Sequence, residues 1–273
     1  MTNTMTTSKA THSVTGPLLS VQNVTKTFPG PRKTRNPVIN DVSLDLAPGE
    51  FVSVIGPSGC GKSTLFQILA GLLRPDEGSV TYHGDATRGP YSAYMPQKDL
   101  LLPWLTAQDN AALGLTLGGM SKADARKKVA DLLGTFRLDG YADAYPFELS
   151  GGMRQRVALL RTMVLQRPIL LLDEPFGALD YLTRTELQIW LSQICAELGQ
   201  STILITHDVP EALMLSDRVY VLSNRPAEVR MVLEQPEPRP RTLDFMETEA
   251  FTHNERTLLA ELTQSAARPA GVS

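Results

Sequence analysis

Residues 51–72 read FVSVIGPSGCGKSTLFQILAGL. Phe51 to Ile55 is a short apolar run, the pattern of a buried strand. Leu65 to Leu72 continues as an apolar helix. Between them, Gly56-Pro57-Ser58-Gly59-Cys60-Gly61-Lys62-Ser63 fits the spacing G-x-x-x-x-G-K-[ST]. A strand before and a helix after are the context in which that spacing cradles phosphate. The glycines let backbone N–H groups turn inward around phosphate oxygens, and the helix N-terminus adds partial positive charge. Lys62 is expected to reach the β- and γ-phosphates. The Ser63 hydroxyl is expected to ligate Mg²⁺, with Thr64 closing the nucleotide-binding loop. Cys60 reads as a small residue within the loop.

A magnesium ion beside Ser63 needs a second protein ligand. Ile169-Leu170-Leu171-Leu172-Asp173 supplies one, a buried strand whose C-terminal end delivers a carboxylate to the crevice where open α/β sheets bind ligands. Glu174 follows directly. A carboxylate there can polarise an attacking water, help worth ~10²–10⁴ in rate; the plainer alternative is a second acidic group that tunes the metal site. The guanine-reading pattern N-K-x-D is absent, which weighs against a GTPase.

Around these two motifs the chain alternates. Strands are expected at 18–24, 42–46, 79–82, 92–95, 201–206 and 218–222, and helices near 183–198 and 210–215. PGPRKTRNP, at 29–37, reads as a loop. From about 98 to 165 the periodicity is helical, with Ser121 and Asp124 as a helix-starting pair and a second helix from Gly151. The expected fold is α/β: a parallel-sheet core with an antiparallel β portion and an inserted helical subdomain over 98–165. The core is expected to span 18–235. Residues 1–17, polar and rich in Thr, read as a disordered lead. The segment 236–241, PEPRPR, reads as a linker before a helix near 244–263.

Composition bounds the function. The 273 residues are 42% apolar and 20% charged, with net charge −3. That balance gives no footprint of nucleic-acid binding. No apolar run reaches the ~20 residues a membrane span needs. Two cysteines, Cys60 and Cys195, give neither a disulfide framework nor metal-ligand spacing.

LSGGMRQR, at 149–156, resembles the signature of the ATP-binding-cassette (ABC) ATPases. The supporting motifs fall in that family's order: GPSGCGKST, Gln97, LSGGM, ILLLDEP, GALD at 177–180 and ITHD at 205–208. The likeness runs from about Leu18 to Arg241 and implies a P-loop NTPase of the ABC-cassette type that hydrolyses ATP with Mg²⁺. By that resemblance, Phe28 stacks on adenine, and Gln97 touches Mg²⁺ and the attacking water. Ser150, Gly151 and Gly152 bind the γ-phosphate of ATP held by a partner subunit. Two glycines at a helix N-terminus suit that role, since they expose N–H groups to an anion. Asp180 links the two sites. His207 contacts the γ-phosphate, although a histidine at a strand end is also an ordinary structural residue. Met153 departs from the family's usual Gln.

One chain carries one cradle and one signature. The resemblance therefore implies a homodimer, or a dimer with a related ATPase, closing on two ATP molecules. It also implies separate transmembrane permease subunits, an extracytoplasmic solute-binding protein and a peripheral place on the cytoplasmic face of the inner membrane. YMPQKDLLLPW, at 94–104, gains a reading: Leu100, Leu101, Leu102, Pro103 and Trp104 line a groove for the permease, or the leucines form the lobe's own core. The motif details resemble the importer branch for nitrate, sulfonate, taurine and thiamine precursors, with a thiamine-precursor pyrimidine the favoured cargo. A soluble, non-transport ABC ATPase is the rival reading.

Overall fold

The computed structural model describes residues 16–31, 34–83, 91–177 and 179–267. The expected lead over 1–17 falls almost wholly outside them, as does Ala178 of GALD. The chain opens with β1 (Leu19–Pro29) and β2 (Arg35–Leu46), then β3 (Phe51–Ile55), α1 (Lys62–Leu69), β4 (Glu77–Tyr82) and β5 (Ser92–Met95). Three helices follow: α2 (Ala107–Leu117), α3 (Lys122–Leu133) and α4 (Gly151–Met163). Then come β6 (Ile169–Asp173), α5 (Tyr181–Leu198), β7 (Ser201–Thr206), α6 (Val209–Leu215), β8 (Arg218–Leu222), β9 (Val229–Glu234) and α7 (Glu249–Ala267).

Six strands form one sheet in the order β5-β6-β7-β3-β8-β9. It is parallel from β5 to β8, and β9 joins antiparallel. β3, β6 and β7 are buried at every position, as strands covered on both faces must be. The second sheet is antiparallel, β2-β1-β4. Its inner residues Leu19, Val21, Ile39 and Leu44 share a core with Val52 and Val54 of β3 and with Leu65, Phe66 and Leu69 of α1. α1 is thus wedged between two sheets, which fixes the loop that precedes it. Helices α2 to α4, between β5 and β6, pack on the far side in a core with Met95, Leu172 and Leu191.

Three local readings need correction. PGPRKTRNP is not a loop throughout: Pro29 pairs with Arg35, Phe28 with Asn36 and Thr27 with Pro37, because the hairpin ladder extends through residues whose composition favours a turn. α1 begins at Lys62, ahead of the apolar run, because the cradle loop itself turns into the helix. The PEPRPR segment is docked rather than linker-like. Arg239 donates to Asp217 Oδ2 at 2.8 Å and to the Gly49 carbonyl at 2.9 Å. Arg241, 3% exposed, donates to the carbonyls of Leu213 at 2.9 Å and Ser216 at 2.8 Å, satisfying acceptors at the end of α6.

Candidate nucleotide site

At the C-terminal edge of the parallel sheet lies a cavity of ≈ 450 Å³. Ser58, Gly59, Gly61, Lys62, Ser63, Thr64, Gln97 and Glu174 line it, with Phe28, Val38 and Arg225. Gly61 has φ 128°, and a Cβ there would stand 2.9 Å from the Val38 carbonyl oxygen. A side chain at this position would both strain the backbone and collide with β2, so the loop requires glycine. Lys62 Nζ donates to the carbonyls of Gly56 at 2.7 Å and Pro57 at 3.0 Å. Gly56, Pro57 and Cys60 do not line the cavity themselves. Gly56 lies against Leu222. Cys60 is fully buried beneath the loop, and burial pushes its thiol up, the condition of an inert cysteine.

β6 carries Asp173 to the side of Ser63, just outside the cavity lining. It is 4% exposed and accepts from the Tyr94 hydroxyl at 3.2 Å. Burial raises its carboxyl above the usual range, against the opposing pull of hydrogen bonds from Tyr94 and Ser63. Ser63 and Asp173 thus form a neighbouring pair of hard oxygen donors, with the Gln97 amide nearby. No group of three or more His, Cys, Asp or Glu suited to a metal occurs among the described residues. The donor set fits Mg²⁺, which takes one or two protein oxygens and completes its shell with phosphate and water.

Glu174 is the convergence point. Gln97 Nε2 donates to its Oε2 at 2.8 Å, and His207 Nδ1 lies 3.4 Å from its Oε1. Its own N–H is fixed on the Ile205 carbonyl at 2.9 Å. Glu174 sits at φ 45°, the left-handed region that a non-glycine residue enters only when its surroundings hold it there. The three residues expected to be catalytic therefore meet around one carboxylate. His207 comes from the loop after β7, which a second network braces. Thr206 Oγ1 donates to Glu211 and accepts from the Asp208 N–H at 3.0 Å. Asp208 caps α6 by accepting from the Glu211 N–H at 2.9 Å, and Arg184 reaches Asp208 at 3.4 Å. Burial pushes the Glu211 carboxyl up to about 8.

His207, like Asp173, does not line the cavity but touches a residue that does, Glu174, and Ser150, Gly151, Gly152 and Asp180 also lie outside its lining. Ser150 caps α4 by accepting from the Met153 N–H at 3.2 Å, with Gly151 and Gly152 in its first turn. Asp180 caps α5, and the N–H of Thr183 holds its carboxyl below the usual range. Neither cap lines the cavity of its own chain. Phe28 does line it, with Lys26 Nζ 5.7 Å from its ring centre. Sequence reasoning missed Tyr94, Arg225 and the pair Thr206 and Glu211. A tyrosine near the end of a strand, just ahead of Gln97, was the one available signal.

The family model described as "ABC transporter" matches residues 39–177. The chain belongs to the ABC transporter family. Among curated relatives, the nitrate import ATP-binding protein NrtC of Synechococcus elongatus is 43% identical over 252 residues, 90% of this chain and 38% of that protein. The chain thus spans well under half of that relative's length. The aliphatic sulfonates import ATP-binding protein SsuB of Bacillus licheniformis is 42% identical over 234 residues, 84% of this chain and 90% of that one. The taurine import ATP-binding protein TauB of Pseudomonas aeruginosa is 45% identical over 200 residues, covering 72% and 76%. Among solved structures, the ATP-binding cassette MJ0796, a dimer in a post-hydrolysis state bound to ADP and Pi, superposes with TM-score 0.69 at 31% identity over 81% of this chain and 100% of that one. The fold is that of an ABC cassette.

Proposed function

We propose that this ABC cassette is the ATP-hydrolysing subunit of an importer for a small solute bearing an oxyanion group, such as nitrate, an alkanesulfonate or taurine. The observation that carries the hydrolytic reading is Glu174, held between Gln97 and His207 at the mouth of the cradle cavity. In this reading Glu174 accepts a proton from water as the water oxygen bonds the γ-phosphorus and the bond to the β-phosphate oxygen breaks. Gln97 and His207 fix the carboxylate and the water. Mg²⁺, held by Ser63 and Asp173 with Gln97, would neutralise charge on the phosphates. Lys62 and the loop N–H groups bind the phosphates.

Ser150, Gly151, Gly152 and Asp180 act on the nucleotide of a partner cassette, which fits their position away from their own cavity. The names of the relatives favour nitrate, sulfonate or taurine over the thiamine precursor that the docking-loop motif suggested. The permease docks on a groove of ≈ 330 Å³ bounded by Tyr94, Leu100, Leu113, Leu117, Arg161 and Leu165. Leu100 is 57% exposed there, whereas Leu101 is buried in the core. Trp104 is exposed but, like Leu102 and Pro103, does not line this groove. Among the described residues no helix is long and apolar enough to cross a membrane, which suits a subunit that docks on separate membrane-spanning chains.

Glu174→Gln tests the hydrolytic reading. The variant is expected to bind ATP with unchanged affinity and to lose at least ~10²-fold in turnover. Turnover within a few-fold of the parent would sink the assignment. Uptake of labelled nitrate and taurine by cells lacking the gene separates the cargo classes.

A further inference from the structure

Arg225 lines the nucleotide cavity, and none of the family motifs assigns it a role. It lies in the turn between β8 and β9, and that turn is fastened to β2. The Asn40 N–H donates to the Ala227 carbonyl at 2.9 Å, and the Ala227 N–H donates to the Val38 carbonyl at 2.9 Å. Asn40 Nδ2 donates to Glu228 Oε1 at 2.8 Å. These bonds lock the turn against the strand that pairs with Phe28. Arg225 Nε then donates to the Pro37 carbonyl at 3.1 Å. Pro37 neighbours Asn36, the pairing partner of Phe28, so Arg225 and Phe28 stand at the same end of the cavity. Gln97 and Glu174 lie toward Lys62 and Ser63, where the phosphates belong.

The bond from Nε fixes the plane of the guanidinium and leaves both terminal nitrogens without a hydrogen bond to any described residue. A fixed fork of N–H donors matches the neutral acceptors of a nucleoside, namely the ring nitrogens of the base and the ribose oxygens. We propose that Arg225 is an adenosine-contacting residue, which works with Phe28 to hold the nucleoside while the cradle holds the phosphates. This rests on the nucleotide reading of the cradle and adds a determinant of affinity at the end of the cavity where Phe28 stands.

Calorimetric binding of Mg-ATP and of inorganic Mg-tripolyphosphate, which has the phosphates without the nucleoside, separates the two. Arg225→Ala is expected to weaken ATP about tenfold and leave tripolyphosphate within twofold. Arg225→Lys, which lacks the planar fork, is expected to recover only part of the loss. Unchanged ATP affinity in Arg225→Ala would overturn the proposal, and so would an equal loss for both ligands, which would make Arg225 a phosphate contact. Lys62→Ala serves as the control. If it weakens neither ligand, the cradle reading itself fails, a result distinct from any failure at Arg225. Thermal unfolding of each variant checks that the turn still folds.

Discussion

Glu211 is a carboxylic acid with no water to ionise in. It faces the hydroxyl of Thr206, the amide of Gln188, the carboxylate of Asp208 and the guanidinium of Arg184, and burial outweighs their help. The unfolded chain ionises this group near its ordinary value of about 4.3, the folded chain at about 8. Between those values the unfolded state has released a proton that the folded state keeps. Glu211 therefore subtracts stability progressively as pH rises from about 4 to 8, with no further change above. Denaturant midpoints at pH 5 and pH 8.5 check this. Glu211→Gln, which can still accept from Thr206, is expected to flatten the slope and to be the more stable chain at pH 8.5, by on the order of a few kcal/mol. A variant with the parent's slope would count against the raised value. At this scale motif spacing pointed to Lys62, Asp173 and Glu174, and the family resemblance pointed to His207, which the fold brings to 3.4 Å from Glu174. The sequence was silent on Glu211, because a Glu in the first turn of a short helix reads as surface until burial is known.

The elements were legible where one physical rule acted alone. β3, β6 and β7 are buried along their whole length because both faces are covered, and Ser121 caps α3 as its spacing with Asp124 implied. Boundaries failed where a partner element decided them. The β1–β2 hairpin extends into a proline-containing stretch because the ladder continues to pair there. β9, an edge strand with alternating half-burial, was missed because it needs β8 to exist. Leu100 and Leu101 are indistinguishable by composition, yet φ 46° at Leu100 turns one side chain out and leaves the next inside. That difference makes a test. Leu100→Asp is expected to keep the basal ATPase within about twofold and to abolish co-purification of a permease from solubilised membranes. Leu101→Asp is expected to lower the melting temperature instead, since it buries an unpaired charge. Retained co-purification in Leu100→Asp would remove the groove from the docking reading.

Across the whole molecule, the C-terminal segment is bound into the fold through its arginines. Arg241 is the deepest, donating to the carbonyls of Leu213, Met214 and Ser216 at the end of α6 and in the turn that follows. Arg241→Ala would leave those acceptors buried and unpaired, a cost of about 2–4 kcal/mol. For a chain of this size that is a fall of roughly 5–10 °C in melting temperature, readable by calorimetry; a shift under ~2 °C would contradict the packing described. Arg239 closes a longer circuit. It clamps Asp217, and Asp217 Oδ2 accepts the N–H of Phe51, 166 residues away in sequence. The first strand of the parallel sheet is thus synthesised long before either neighbour, β7 or β8, leaves the ribosome. At roughly 10 residues per second, β3 waits on the order of ten seconds or more with its apolar side chains uncovered and its ladder unpaired. The order of the strands along the chain makes the newborn protein dependent on shelter: nascent chains stopped before about residue 200 are expected to be held by chaperones or to aggregate, and those extended past β9 to be released.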